Sequence, residues 1–282
     1  MRWDDRLTAM LIHATARWRV RYGENLRFAG NELPKPQVIH VPTRHGRVRV
    51  FVYRPFQASA GAHVHFHGGA WLMRYPQMDD WWCRYLAAEA GVTVFNVDFR
   101  TGPYVSYPVS QHQCHDVARW VSKDYPAVSV GGFSSGGGLA ASVCLQARDA
   151  GAWRPRLQVL GVPALDLATD RGADERSMIS AKLRDLVRRV YFPDPATRTE
   201  AYASPVLAES LAGLPPAIVL TAERDALRQD GERYAERLRE AGVPVKHDMT
   251  PGVDHYFLTE NPERARETMA TVAKAVAEAV GG

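Results

Sequence analysis

The chain contains few cysteines, and their number is odd. Cys83, Cys114 and Cys144 are the three cysteines among 282 residues, and they are far apart in the sequence. This pattern argues against a disulfide framework and favours a reducing compartment. The first residues show no apolar core of a signal peptide, so we expect a cytoplasmic protein whose cysteines are small buried hydrophobic residues.

Long apolar runs and blocks of one charge are also missing. No stretch approaches the apolar length that crosses a bilayer, so we expect no membrane span. The 35 basic and 31 acidic residues leave a net charge of only +4. No basic block with interleaved aromatic residues occurs, which argues against a nucleic-acid partner. The apolar content of 46% is ordinary for a globular enzyme and can supply a sizeable core.

Short apolar segments alternate with helical segments along most of the chain. The eight predicted strands are at residues 38–41, 47–53, 63–67, 92–97, 128–131, 156–165, 217–221 and 245–249. Pro163 interrupts the segment at 156–165 near its end. After a first hairpin, a predicted helix separates most successive strands, which is typical of an α/β fold with a mostly parallel sheet and helices on both faces. We find no internal repeat and no low-complexity linker, so residues 1–282 are predicted to form a single domain.

Two segments stand outside this alternation. Residues 4–22 place a set of apolar side chains at helical spacing, which predicts an amphipathic helix; they are Leu7, Met10, Leu11, Ala14 and Trp18. Residues 167–213 are charged and rich in arginine but carry an apolar rhythm of helical type, which predicts helices lying over the ends of the strands.

The most informative motif is Gly132-Phe133-Ser134-Ser135-Gly136, a G-x-S-x-G sequence between a predicted strand and a predicted helix. A strand, a sharp turn and a helix place a serine hydroxyl at the top of a sheet, pointing outward. The glycines permit the tight turn, and the first turn of the helix offers unpaired N–H groups to an oxyanion. Ser134 is therefore the candidate nucleophile.

A serine nucleophile needs a histidine that removes its proton and a carboxylate that orients the histidine. In an α/β-hydrolase arrangement the acid and then the histidine follow the serine, past the ends of later strands. Asp225 and His255 follow the seventh and eighth predicted strands in this order. Glu223, Asp230 and Asp254 remain competing acids, although a sequence neighbour such as Asp254 rarely faces the histidine beside it.

The loop His67-Gly68-Gly69-Ala70-Trp71 follows the third predicted strand. In this arrangement an oxyanion hole combines the N–H after the nucleophile, here that of Ser135, with an N–H from such a loop. Two glycines let the loop backbone approach a ligand closely. The loop, the G-x-S-x-G turn (the nucleophile elbow), the acid and the histidine are much less expected to occur together by chance than any one of them is to occur alone.

These motifs resemble those of the hormone-sensitive-lipase-like family of α/β-hydrolase carboxylesterases over about residues 38–280. The family has an H-G-G-G-aromatic loop, a D-Y-R-L-A-P segment, a G-D-S-A-G-G elbow, an acid-bearing strand and loop, and a histidine segment. The corresponding residues here are 67–71, 98–103, 132–137, 214–231 and 254–257.

The resemblance implies a catalytic triad in which Ser134 is the nucleophile, Asp225 the acid and His255 the base. It implies an oxyanion hole from the loop and the elbow, formed by Gly68, Gly69, Ala70 and Ser135. It implies hydrolysis of short- to medium-chain acyl esters through an acyl-enzyme, with no cofactor or metal. Residues 1–36 and 167–213 would form a small helical cap, and because relatives often dimerise a homodimer is an open expectation.

Two positions depart from the family pattern. Ala70 replaces the third glycine of the loop and adds a methyl group beside the oxyanion site, so we expect poorer turnover of esters of bulky tertiary alcohols. Phe133 replaces the aspartate of the elbow, which puts the local geometry of that turn in doubt.

Three alternative interpretations stay open. His63, His65 and His67 occupy alternate positions of a strand and would share one face, where three imidazoles would suit zinc, although no carboxylate follows at ligand spacing. The H-G-G-x-W loop also occurs in arylformamidases related to this family, which would use the same triad on an amide. A non-catalytic binding protein is the third interpretation, although no triad member is missing here.

Overall fold

The computed structural model describes residues 2–20, 23–57, 59–169 and 177–281, which fold around an eight-stranded sheet. The strands are β1 (Gln37–Thr43), β2 (Gly46–Tyr53), β3 (Gly61–Phe66), β4 (Thr93–Asp98), β5 (Ala127–Phe133), β6 (Gln158–Gly161), β7 (Ala217–Ala222) and β8 (Val245–Thr250). Their order is β1-β2-β4-β3-β5-β6-β7-β8. β2 pairs antiparallel with β1 and β4, and all other neighbouring pairs are parallel. The predicted mostly parallel α/β sheet is confirmed.

Eight α-helices accompany the sheet in the described part of the chain. They are α1 (Trp3–Arg19), α2 (Asp80–Glu89), α3 (Val109–Val121), α4 (Ser135–Ala150), α5 (Ala181–Val190), α6 (Arg228–Glu240), α7 (Phe257–Glu260) and α8 (Pro262–Val280). Short 3-10 helices are found at Glu24–Leu26, Pro76–Asp79, Pro195–Thr199 and Pro205–Leu207. None of the described helices is long and apolar enough to cross a membrane.

Two hydrophobic cores cover the two faces of the sheet. Helices α3, α4 and α6 contribute side chains to one core, and helices α2 and α8 contribute side chains to the other. Alternate side chains of a strand point to opposite faces, so in β7 Val219 enters the first core while Ile218 and Leu220 enter the second. Strands buried on both faces explain why the central segments read as continuous apolar runs.

The end of β3 touches the turn between β5 and α4 at van der Waals distance. A Cβ atom at Gly132 would lie 2.2 Å from the carbonyl oxygen of Phe66, and one at Gly136 would lie 1.9 Å from the same oxygen. Glycine at both positions is therefore required for this approach. It brings the loop after β3 against the residue between the two glycines, Ser134.

Two predicted segments differ from the structure. The strand predicted at 156–165 is the shorter β6, because Val162 adopts a φ of 39° and Pro163 follows it. The described part of 167–213 contains one α-helix, α5, besides 3-10 turns. Residues 21–22 of the predicted N-terminal helix and residues 170–176 of the insert lie outside the described residues. The single domain with a cap from residues 1–36 and 167–213 stays a prediction.

The three cysteines are free and buried, as expected. Burial raises the pKa of the thiols of Cys83, Cys114 and Cys144. The thiols therefore stay protonated at neutral pH and behave as small hydrophobic groups.

Candidate active site

Ser134 lies in a strained turn between β5 and α4. Its φ of 56° and ψ of −121° belong to a region that residues other than glycine seldom adopt. The backbone is held on both sides: the Ser134 N–H donates to the Gly161 carbonyl at 2.8 Å, and the Ser134 carbonyl accepts the N–H groups of Gly138 and Ala164 at 3.1 Å. The predicted strand–turn–helix elbow is present, and α4 begins directly after the serine.

Asp225 and His255 meet at the same edge of the sheet. The ring Nδ1–H of His255 donates to Asp225 Oδ2 at 2.8 Å, and each residue is only 5% exposed. Asp225 follows β7 and His255 follows β8, two neighbouring parallel strands. The other oxygen of Asp225 accepts the Leu227 N–H at 3.0 Å, which fixes the carboxylate. A ring that donates through Nδ1 keeps Nε2 as a proton acceptor while it is neutral.

Ser134 and His255 line the same cleft. Within the described part of the chain no hydrogen bond joins the Ser134 hydroxyl to the His255 ring. Contacts between a nucleophile and its base are often long without substrate and tighten in the complex. The structure thus brings the three predicted residues to one edge of the sheet, with Asp225 and His255 in hydrogen-bond contact.

Competing acids have other partners. Glu223 accepts the N–H of Gly252 at 2.6 Å, and Asp230 accepts two backbone N–H groups of the segment after β6. Asp254 Oδ1 accepts the backbone N–H of its neighbour His255 at 2.7 Å rather than the ring. The geometry therefore favours Asp225 as the residue that orients the histidine.

The loop after β3 is a tight turn with positive φ angles. Gly69, Ala70 and Trp71 have φ values of 109°, 55° and 53°, and the Gly69 carbonyl accepts two N–H groups of the residues that follow. Among the described residues, no acceptor is found for the backbone N–H groups of Gly69, Ala70 and Ser135. Because these residues line the clefts beside Ser134, their amides are available to a ligand oxygen there.

His67 and Gly68 hold this loop against the elbow. The His67 ring donates through Nδ1 to the Gly68 carbonyl at 2.7 Å and stacks on Phe99 at 4.3 Å between ring centroids. A Cβ atom at Gly68 would lie 3.3 Å from the Phe133 carbonyl oxygen, tighter than ordinary contact. Burial lowers the pKa of His67, so its ring is neutral. These contacts give the His67 ring a structural role, in which it holds the loop in place.

His63 and His65 have separate protein partners. His63 Nδ1 lies 2.9 Å from the Ser129 hydroxyl, and His65 Nε2 lies 2.8 Å from Asp79 Oδ2. Groups of three or more side chains arranged to hold a metal ion are absent from the described residues. The arrangement therefore gives no geometric support to the zinc hypothesis.

Two clefts flank Ser134. The first has a volume of about 690 Å³ including its open mouth, and its walls are mostly apolar: Val20, Leu26, Met73, Met78, Trp81, Phe133, Val162 and Leu258. The second, of about 580 Å³, includes charged residues: Asp166, Arg184, Arg188 and Asp230. Ile179 and Leu183 border both clefts, so the segment leading into α5 forms part of the wall of each.

Phe133 fills the elbow position where the family pattern has aspartate. Its ring lies 6.0 Å from Trp81 and 5.3 Å from Trp82 between centroids, and it forms part of the apolar cleft wall. A Cβ atom at Gly161 would lie 2.3 Å from this ring. The substitution therefore exchanges a polar group for an aromatic wall and leaves the backbone of the turn intact.

Sequence reasoning missed Ser177, which no motif marks. Its hydroxyl donates to Asp254 Oδ1 at 3.1 Å and accepts the N–H of Ala226 at 3.0 Å. Asp254 in turn accepts the backbone N–H of His255, and Ala226 follows Asp225 directly. Ser177 thus connects the loop that carries the acid with the loop that carries the histidine.

Comparison with known proteins places this geometry in a family. A family model described as alpha/beta hydrolase fold matches residues 63–259. The chain belongs to the hormone-sensitive-lipase-like family of α/β-hydrolase carboxylesterases.

Individual relatives agree with this assignment. An arylesterase of Saccharolobus solfataricus is 33% identical over 234 residues, which cover 78% of this chain and 76% of the arylesterase. An ethyl acetate hydrolase of Pseudomonas putida is 31% identical over 280 residues, 92% of this chain and 88% of that protein. The structure of an esterase of Pyrobaculum calidifontis superposes with a TM-score of 0.85 at 30% identity and covers 98% of this chain and 99% of its own.

Ser177→Ala removes the hydroxyl that joins the acid and histidine loops. We expect kcat for ester hydrolysis to fall about tenfold with little change in KM, since small misplacements of catalytic groups are costly. Steady-state kinetics together with the melting temperature measure this. Ser180→Ala is the matched control, because Ser180 only caps α5 by accepting the Leu183 N–H. Equal kinetics in both variants would contradict the positioning role of Ser177.

Proposed function

We propose that this enzyme hydrolyses short- to medium-chain acyl esters through an acyl-enzyme formed on Ser134. The chain is a carboxylic-ester hydrolase, and the proposal concerns the residues that act and the esters that bind. The proposal depends on the 2.8 Å hydrogen bond between His255 and Asp225, because His255 lines the same cleft as Ser134.

In the acylation step, Ser134 Oγ attacks the ester carbonyl carbon while His255 Nε2 takes the hydroxyl proton. Asp225 holds the ring in the tautomer with a proton on Nδ1 and stabilises the imidazolium that forms. The carbonyl oxygen becomes an oxyanion, which the N–H groups of Gly69, Ala70 and Ser135 stabilise.

In the second half of the reaction, the carbon–oxygen bond to the alcohol breaks and the imidazolium of His255 protonates the departing oxygen. A water molecule then attacks the acyl carbon while His255 removes one of its protons. The bond to Ser134 breaks, its oxygen recovers a proton from the ring, and the carboxylic acid leaves. Because this proton relay needs only side chains and amides, no cofactor or metal enters the proposal.

The two clefts suggest how an ester is placed. An acyl chain suits the first cleft, whose apolar lining includes Trp81, Phe133 and Met78. The alcohol part of the ester would then occupy the second cleft, which Ser134 also lines. We also assign the enzyme to the cytoplasm, in keeping with free, buried cysteines. The homodimer and the lack of a nucleic-acid partner stay predictions.

Ser134→Ala is expected to abolish the burst of p-nitrophenol that reports acyl-enzyme formation. Asp225→Asn should lower kcat by about four orders of magnitude, because the ring then loses its correct tautomer. Ser135→Ala is the matched control: its hydroxyl is buried without a hydrogen-bond partner in the described structure, and its N–H survives the substitution. Stopped-flow kinetics on p-nitrophenyl butyrate test all three. A normal burst in the Ser134 variant, or its loss in the Ser135 variant alone, would refute the assignment.

A chain-length series of p-nitrophenyl esters tests the substrate proposal. We expect kcat/KM to peak at short to medium chains and to fall once the acyl chain is too long for the apolar cleft. N-formylkynurenine is the comparison substrate, because the arylformamidase alternative would use the same triad. Faster turnover of this amide than of every ester in the series would favour that alternative.

Ala70→Gly is expected to raise kcat/KM for tert-butyl acetate severalfold relative to ethyl acetate, since it removes the methyl group beside the oxyanion site. The variant should also gain up to about 1 kcal/mol of stability, because glycine tolerates the positive φ of 55° at this position. Hydrolysis rates and urea unfolding measure the two effects. An unchanged ratio between the two acetates would remove the steric explanation.

A further inference from the structure

Helix α1 exposes most of its large apolar side chains. Trp3, Leu7, Leu11 and Trp18 are 79%, 50%, 54% and 55% exposed, and Met10 is 39% exposed. At 100° per residue these positions fall on one stripe of the helix. The amphipathic pattern predicted from the sequence is therefore real, but its apolar face points to solvent.

The opposite face of α1 attaches the helix to the protein. Ala9 and Ala16 are buried there, and Asp5 accepts two hydrogen bonds of 2.9 Å from the Arg189 guanidinium of α5. These hydrogen bonds hold the pKa of Asp5 below its usual value, so the ion pair persists at neutral pH. The exposed stripe is thus not a core face that has lost its partner, because the helix is already anchored by its other side.

Basic residues flank the stripe along one edge. Arg2, Arg6 and Arg17 are exposed, and the Arg17 guanidinium lies 4.0 Å above the Trp18 ring. Of the two acids in the first turn, Asp5 faces Arg189 and Asp4 pairs with Arg2 at 3.1 Å. An apolar stripe with tryptophans near both ends and arginines along one edge is typical of helices that lie in a lipid headgroup layer.

The C-terminal end of α1 leads into the wall of the apolar cleft. Val20, the residue that follows α1, lines the cleft that also contains Ser134. A surface that contacts the stripe would therefore lie against a helix whose C-terminal end borders the cleft that contains Ser134.

We propose that α1 docks the enzyme on a bilayer surface that carries anionic headgroups. The apolar stripe enters the headgroup layer and the arginines pair with phosphates, while the helix lies parallel to the surface instead of spanning it. Esters dissolved in the outer part of the bilayer then reach the cleft past Val20. The docking itself does not depend on the chemistry assigned to Ser134.

Vesicle flotation tests this surface. The wild-type enzyme should float with vesicles of phosphatidylcholine and phosphatidylglycerol, float less with phosphatidylcholine alone, and lose binding in high salt. The double variant Leu7→Asp/Leu11→Asp should bind at least about tenfold more weakly. Phe56→Asp is the matched control, since Phe56 is 71% exposed in the loop after β2. Both variants should hydrolyse p-nitrophenyl acetate like the wild type, which verifies that they are folded.

Three results would contradict the membrane-docking proposal. It is overturned if the wild type stays in the soluble fraction with both kinds of vesicle, or if the double variant floats as the wild type does. Light scattering in the absence of vesicles tests whether a second copy of the chain binds the stripe instead. If the wild type is a dimer that binds no vesicles, and the double variant is a monomer, the stripe is a dimer interface. Ser134→Ala should float like the wild type. Failure of the docking proposal can therefore be distinguished from failure of the catalytic proposal.

Discussion

The contact between the end of β3 and the turn after β5 is the constraint on which the candidate site depends. Because Gly132 and Gly136 have no side chains, the Phe66 carbonyl reaches their backbone, where a Cβ atom at Gly136 would be 1.9 Å away. The same contact sets the distance between the loop amides and the serine. The proposed nucleophile and the proposed oxyanion donors are therefore fixed relative to each other by backbone packing.

The acid and the histidine depend on a different feature, the parallel pairing of β7 with β8. Parallel neighbours end at the same edge of the sheet, so loops that are thirty positions apart in sequence deliver Asp225 and His255 to one place. Burial of both residues strengthens their hydrogen bond, since little water competes for it. The sheet thus supplies the rigid frame, and the loops supply the chemistry.

Much of this arrangement could be predicted from sequence because it is encoded locally. Glycines around Ser134 and after His67, and an acid and a histidine past successive strands, are each visible in a few residues. Ser177 was not predictable, because its role exists only once three distant segments have packed together. The outward apolar face of α1 was hidden for a similar reason: periodicity shows that a helix has two faces, but not which of them the protein covers. The early end of β6 reflects the backbone of Val162, which an apolar run does not reveal.

The bridge through Ser177 has a consequence for the order of events in a catalytic cycle. Ser177 belongs to the segment that borders both clefts, and its hydroxyl also ties together the two loops that carry the proposed acid and the proposed base. If that segment lifts to admit a bulky molecule, the relay loses part of its scaffold at the same moment. Opening of the cleft and proton transfer by the proposed relay would then oppose each other, because both depend on the position of one side chain.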